Sequence, residues 1–402
     1  MSQIQASFRD LVTEHPIQQH AEANLLTHPD CYCFEPVPGS GRRLAIIPRA
    51  EFSFDQFVAR TPQRSVAFDG IVTGGTRLDL SSRHFVIDHH DHCQRDITLA
   101  SAQQMRLLRQ QGLMNLLTVN DRYDFIAWKN DVDCDATSTS FQLIYSELCD
   151  GPLFNRLLDG YIGPLDVSAG GRGPKLSTDL MRQGTWIFEP YFRDLHRIYS
   201  MNGKQLADLT LEMYDRLRKY LLGQGSMGEI DTRTTELRRG SGWLMLQEHG
   251  AHSRLAAFQN NPRLQGLVVF KGQDKGEYRY SAVRQNQLSF FPVTLLADVF
   301  NRAELFAEQH SVEAFQSLLK DSSHDRAGLW ETLSSLAFPE GWIKPWGGGD
   351  GVIGCLRTKA SCIALEPMGT FVEYFMIDLA QQAYQANCFT LRAPLVKPAK
   401  ES

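Results

Sequence analysis

The chain has 402 residues, 43% of them hydrophobic and 22% charged, and a formal net charge of −5 at pH 7. That balance excludes a disordered or fibrous chain, and at roughly 100–200 residues per domain the length predicts two or three domains. The acidic balance also excludes a general nucleic-acid coat, which needs clustered Lys and Arg, and leaves a small anionic substrate held by a few Arg side chains or by metal ions.

The opening MSQIQASFRDLVTEH has acidic residues early and no apolar run, so no secretory signal is expected. No stretch of about 18 uncharged apolar residues occurs, so no membrane contact is expected. Residues 1–43 are rich in His, Pro and Gly without a clear period and read as an N-terminal extension. The eight cysteines, at 31, 33, 93, 134, 149, 355, 362 and 388, include no C-x-x-C pair. They read as thiols of a reducing cytoplasm rather than a zinc site.

From Leu44 the pattern changes. Leu44–Ile47, Ser65–Phe68, His84–Ile87 and Tyr123–Trp128 read as short buried strands. Helical spacing follows over Ser101–Leu117 and Ser138–Leu148, and a strong amphipathic helix over Lys204–Leu222. Short apolar strands alternating with helices predict an α/β fold with a mostly parallel sheet and flanking helices over 44–222. Residues 223–240 are polar, glycine-bearing and charged, and read as a linker. A smaller C-terminal α/β domain is expected over 241–402, with strands at Leu267–Phe270 and Tyr278–Val283 and a helix at Pro292–Ala307. Beyond these come a glycine-rich turn from Trp346, a strand at Cys362–Leu365 and a helix at Thr370–Ala386.

Parallel sheets carry their chemistry at the carboxyl ends of the strands. Asp69 ends the second strand, and Asp88-His89-His90-Asp91-His92 follows the third. Five such side chains in a row have no structural use on a strand end, whereas His nitrogen with carboxylate oxygen suits a metal. Asp69 lies one strand away, about 5 Å, and can reach the same ion. The competing reading of Asp69-Gly70 is a turn dipeptide. Asp131, Asp133 and Asp135 follow the fourth strand, and three carboxylates spaced two apart need cations or solvent to relieve their repulsion. N-capping accounts for one of them. Ala136-Thr137-Ser138-Thr139 then places hydroxyls and N–H groups at a helix start, which suits an anion.

These features together resemble the DHH phosphoesterase superfamily, whose name-giving motif is a strand followed by Asp-His-His, here FVIDHHDH over 85–92. The family's Asp before that strand is matched by Asp69 in VAFDG. Its following helix of small hydroxyl residues is matched by 136–148, and its apolar run ending in Asp by Tyr161–Gly170, which contains Asp166. The C-terminal half is similar to the associated domain of that family, with an Arg-bearing strand ending at Arg284 and a glycine loop at Gly347-Gly348-Gly349-Asp350-Gly351.

The resemblance implies metal-dependent hydrolysis of a phosphodiester or phosphoanhydride bond in a small nucleotide or short oligonucleotide. The active site would lie between the domains. The implied metal ligands are Asp69, Asp88, His89 and Asp166, with Mn2+ as the cofactor and Mg2+ the alternative. His90 would contact phosphate or move a proton. Arg284 and Gly347, Gly348 and Gly349 would bind substrate, and a homodimer is implied as well.

The first family motif, a strand then His and Asp-x-Asp, is degenerate here. Arg49 stands in the place of the His and Ser53 in that of the first Asp, leaving Asp55. Asp350 replaces a His in the glycine loop. Asp131 and Asp133, also at a strand end, are expected as rebuilt ligands. The alternative is a catalytically degenerate member that binds nucleotide or metal as a sensor. A zinc hydrolase using His84, His89 and His92 has no H-E-x-x-H spacing behind it.

Overall fold

Four short apolar runs make the centre of the first sheet. The structure is a computed structural model describing residues 24–90, 98–195, 197–274, 276–285, 291, 293–348, 352–355 and 359–376. The early strands are β1 (Tyr32–Phe34), β2 (Arg42–Ile46), β3 (Ser65–Phe68), β4 (Arg77–Asp79) and β5 (His84–Ile87). A small hairpin, β6 (Thr118–Val119) and β7 (Arg122–Tyr123), precedes β8 (Phe125–Lys129). The sheet order is β1-β2-β8-β3-β5-β4. The inner four strands are parallel, and β1 and β4 close the edges antiparallel, so the sheet is mixed.

Both faces of the inner strands are covered, which is why they read as unbroken apolar runs. Leu44, Ile46, Val66, Phe68, Phe85, Ile87, Phe125 and Ala127 point into one core. Ala45, Ile47, Ala67, Val86, Ile126 and Trp128 point into the other, with Phe57 of the helix Phe54–Arg60. On the first face lie the helices Ser101–Gln110, Cys134–Ile144 and Gly203–Leu221.

The expected helix over 101–117 breaks at Gly112, whose φ of +94° ends one helix and lets Leu113–Leu116 begin another. The helix expected from Ser138 begins earlier, at Cys134, because Asp133 caps it. The Asp133 side chain accepts from the Ala136 N–H at 2.8 Å. The Gly203–Leu221 helix is held at its start by Asn202 and Gln205, each accepting from the other's backbone N–H at 3.0 Å. Asn202→Ala should cost about 1 kcal/mol, measurable as a lower urea midpoint at unchanged slope.

The second sheet contains β9 (Thr234–Gly240), β10 (Trp243–Glu248), β11 (Gly266–Asp274), β12 (Glu277–Arg284), β13 (Trp346–Gly348) and β14 (Val352–Cys355). Its order is β13-β14-β12-β11-β10-β9, and only β10 and β11 are parallel. Three expectations are corrected here. The linker ends before Thr234, because 234–240 is an edge strand whose charges hid its period. Arg239 pairs there with Glu236, and Arg238 with Glu366. Trp346 opens a strand rather than a turn. Its indole is buried, stacks on Tyr280 and donates to Glu304 at 3.1 Å. Cys362–Leu365 is not a strand. Cys362 donates its N–H to Glu304, and a helix runs over 365–376. A four-residue apolar run does not distinguish the two by itself. Residues 377–386 of the expected last helix lie outside the described residues.

The two halves meet through buried polar groups. Arg254 donates to both carboxylate oxygens of Glu248 at 2.8 and 2.9 Å and to the Ala169 carbonyl at 2.9 Å. His252 places Nε2 3.1 Å from Thr185 Oγ1, and Leu255 enters the first core. Among the described residues no helix is long and apolar enough to cross a membrane. The described cysteines are free thiols.

Candidate metal centre

The carboxyl ends of β3, β5 and β8 lie side by side because the three strands are parallel neighbours. Asp69 leaves β3 with a φ of +59°, a left-handed conformation that Asp tolerates better than bulky residues, and Gly70 follows at +81°. The Asn130 amide, just past β8, donates to the Ala50 and Gly70 carbonyls at 2.7 and 3.2 Å and ties the strand ends together.

After β5 the backbone of Asp88 is fixed by Thr76 and Gln104. Thr76 Oγ1 accepts from the Asp88 N–H at 3.0 Å, and Gln104 donates to the Asp88 carbonyl at 3.1 Å. His89 is fully buried, while the His90 side chain is 32% exposed, and the rings meet edge-on at 4.6 Å.

His89 is the centre of the site. Its Nε2 lies 2.9 Å from Asp166 Oδ2 and 3.8 Å from both Asp69 Oδ1 and Asp135 Oδ2. Among the described residues two groups offer ligand atoms within 4.8 Å of one another: Asp69, His89 and His90, and His89, Asp135 and Asp166. Both contain His89. A buried imidazole among carboxylates, with the partly exposed His90 beside them, is a donor set of the kind that holds a divalent metal ion.

Asp135 has a second role. Its two oxygens accept from the Ser101 and Ala102 N–H groups at 2.8 and 2.9 Å, satisfying the open start of the 101–110 helix. Burial, then the neighbouring Asp166, push its carboxyl up to about 8, against the pull of His89 and the Ala102 N–H. Asp166 arrives from Gly163–Val167, a short helix that continues a π-helical turn over Leu158–Ile162. The absent side chain of Gly163 makes room there, since a Cβ would meet Gln103 at 2.7 Å.

Of the expected ligands, the structure brings Asp69, His89 and Asp166 together, with Asp135 in place of the others. Asp88 is occupied with His90, its Oδ1 2.7 Å from His90 Nδ1. Burial alone would raise the Asp88 carboxyl, yet His90 and His89 hold it below the usual carboxylate range. Asp133 is spent on the helix cap, and Asp131 accepts from the Val132 N–H at 2.6 Å. Both stand outside the two groups. Behind them is Lys129, the last residue of β8, fully buried. Burial pulls its ammonium down to about 7 against the charges of Asp131, Asp133 and Asp69.

The degenerate first motif supplies no ligand among the described residues. Arg49 donates to the Tyr199 carbonyl at 2.8 Å, Ser53 caps the helix Phe54–Arg60, and Asp55 is exposed. His84 sits at the far end of β5 from His89, with Nε2 3.3 Å from the Thr61 carbonyl. His92 lies outside the described residues. In the second sheet Arg284 stands at the end of β12 paired with Gly266. The other end of β12 approaches the first half, with the Arg279 guanidinium 5.2 Å from the centre of the Tyr199 ring. Five residues at about 3.3 Å each separate the two arginines along the strand. Gly347 and Gly348 belong to β13, and Gly349 lies outside the described residues.

Sequence reasoning did not single out Asp135 as a candidate ligand, nor the buried Lys129 at the end of β8. A signal existed for Asp135. If Asp133 caps the helix, Asp135 falls in its first turn, beside the β5 end. Neither a protein-family model nor a curated protein matches the chain.

Proposed function

We propose that this chain is a metal-dependent phosphoesterase of the DHH type, hydrolysing a phosphodiester or phosphoanhydride bond in a small nucleotide or short oligonucleotide. The observation that carries the reading is the convergence of Asp69, Asp135 and Asp166 on His89 Nε2. A bound Mn2+ or Mg2+ supplies a water of lowered pKa and neutralises phosphoryl charge. The chain's own residues do the rest. His89 and the carboxylates hold the ion, and the buried walls keep their geometry fixed. Asp88 sets the His90 tautomer by accepting at Nδ1, so His90 Nε2 is the atom that exchanges a proton with substrate. The His90 side chain is partly exposed.

The second half supports the site from one side, since Arg254 holds the Ala169 carbonyl three residues after Asp166. The Arg279 guanidinium lies 5.2 Å from the centre of the Tyr199 ring of the first half. Arg284→Ala, and likewise Arg279→Ala, should raise KM for a phosphate substrate about tenfold, the scale of one lost charge-assisted hydrogen bond. Initial-rate kinetics on both variants check this.

The test of the reading is metal analysis of the purified chain together with a Mn2+-dependent hydrolysis panel. The panel covers short oligonucleotides, nucleoside bisphosphates, cyclic dinucleotides and pyrophosphate. Bound metal with turnover supports a hydrolase. Bound metal without turnover on any member favours the sensor reading, for which the observation is the loss of ligands at Arg49, Ser53 and exposed Asp55.

A further inference from the structure

Asp166 reaches the metal centre from the short helix Gly163–Val167, and the chain then turns back through Ser168-Ala169-Gly170-Gly171-Arg172-Gly173. So short a helix has little stability of its own, and its orientation depends on what holds the turn that follows. Ser168 closes the turn from within. Its Oγ donates to the Pro164 carbonyl at 2.6 Å and accepts from the Arg172 N–H at 2.7 Å. Ala169 is left-handed, with a φ of +48°, a conformation that a residue with a Cβ keeps where its surroundings impose it. Those surroundings come from the second half. Ala169 packs against the apolar cluster that contains Leu244, Leu246, Phe258 and Leu267. Gly171 lies so near Phe258 that a Cβ would stand 3.1 Å from the ring. Arg254 donates to the Ala169 carbonyl at 2.9 Å while its other two nitrogens donate to both oxygens of Glu248. The Arg254 and Glu248 side chains are 13% and 7% exposed, so this charge-assisted fork is shielded from solvent. The backbone of Ala169 stands between the fork and the ligand. Its carbonyl accepts from Arg254, and its N–H donates to the Asp166 carbonyl at 2.9 Å. Two hydrogen bonds in series therefore run from the Arg254 guanidinium to the backbone of Asp166, whose Oδ2 lies 2.9 Å from His89 Nε2.

We propose that Arg254 is a positioning residue for the metal ligand Asp166, so that the second half of the chain sets the metal affinity of a centre built in the first. The inference rests on the metal-centre reading above. Arg254 acts through the turn rather than on the ion: Glu248 holds the guanidinium, the guanidinium holds Ala169, and Ala169 holds the Asp166 backbone. Loss of the fork lets the turn relax from its left-handed residue and moves Asp166 relative to His89. The coupling is reciprocal, so an ion that fixes Asp166 also tightens the junction between the two halves.

The test compares two places where the halves meet. The double variant Arg254→Met/Glu248→Gln removes the fork without leaving either charge buried alone. Arg254→Lys is milder, keeping the charge and losing the planar fork. Thr185→Val is the control. It removes the partner of His252 Nε2 at the same junction and none of the bonds of the Asp166 turn. Mn2+ dissociation constants are measured by isothermal titration calorimetry where each variant is folded by circular dichroism, with metal-free urea stability alongside. The double variant should bind Mn2+ about tenfold more weakly than wild type, the low end of what an outer partner of a metal ligand is worth, and Arg254→Lys severalfold more weakly. Thr185→Val should keep wild-type affinity even where its urea midpoint falls. The electron paramagnetic resonance spectrum of bound Mn2+ reads the geometry itself. Its zero-field splitting should change in the double variant and not in Thr185→Val. Wild-type affinity in either folded Arg254 variant overturns the proposal. An equal loss in Thr185→Val overturns it too, since the effect is then a general loosening of the junction. No Mn2+ bound by wild type overturns the metal-centre reading itself, and this inference with it.

Discussion

His89→Ala should abolish metal retention and reduce hydrolysis to background. His89 Nε2 is common to both ligand groups and lies within 3.8 Å of three carboxylates, so no other side chain among the described residues substitutes for it. Loss of an outer partner of a metal ligand typically costs 10–100-fold in affinity, and loss of the shared ligand itself should exceed about 100-fold. His90→Ala separates binding from chemistry. Its ring is partly exposed and belongs to one group only, so Mn2+ retention should survive. Turnover should fall by about 10²–10⁴, the usual worth of a positioned acid or base. Elemental analysis and a Mn2+-dependent shift in melting temperature read the first effect, and single-turnover kinetics the second. Turnover surviving in His89→Ala, or metal lost in His90→Ala, would reverse the roles assigned to the pair.

Asp135 should show the second large effect, because one carboxylate serves two purposes. Asp135→Ala removes a ligand and leaves the Ser101 and Ala102 N–H groups buried without their acceptor. Each such orphan costs about 1–3 kcal/mol, so the metal-free variant should be less stable than wild type by about 2–5 kcal/mol. Asp135→Asn tests the charge separately. The native carboxyl is raised to about 8, chiefly by burial, while the unfolded one lies near the usual ~4. A raised carboxyl stabilises the fold while protonated, and that contribution is lost as pH rises from about 4 through about 8. Metal-free wild type should therefore lose stability relative to Asp135→Asn across that window, by at most ~1.4 kcal/mol per pH unit. Saturating Mn2+ should invert the comparison, since only the ionised carboxylate binds the ion. Urea titrations at several pH values, with and without Mn2+, follow both signs. A stability difference that does not change with pH would mean that Asp135 is ionised throughout.

Much of the first sheet was legible because its inner strands are buried on both faces. Ser65–Phe68 and His84–Ile87 stand where apolar runs bounded by polar residues put them. That Asp69, His89 and Asp166 would come together was expected for a related reason, since Asp69, Asp88 and Asp166 each close an apolar run and His89 follows Asp88. Asp135 was harder. Carboxylates spaced two apart suggest a strand's period, yet the chain has already turned into a helix at Cys134, and only the cap at Asp133 sets the phase. How the two halves meet was not legible, because it depends on Arg254, Glu248 and Ala169, residues far apart in the chain. The strand β9 was hidden for another reason. An edge strand with alternating charges presents no apolar period to read.

The buried contacts of Arg254 and His252 also decide how this chain tolerates dissection. A truncation near residue 222, where composition changes, would remove Leu255 from the first core, the ring beside Thr185 and the donor to the Ala169 carbonyl. A fragment meant to carry the metal centre alone has to extend through the helix Ser253–Asn260. It then brings β9 and β10 with it and bares the edge on which β11 pairs. Neither cut leaves a closed surface. A chimera that replaces the second sheet should keep the centre only if the graft supplies its own buried arginine and glutamate at the positions of Arg254 and Glu248.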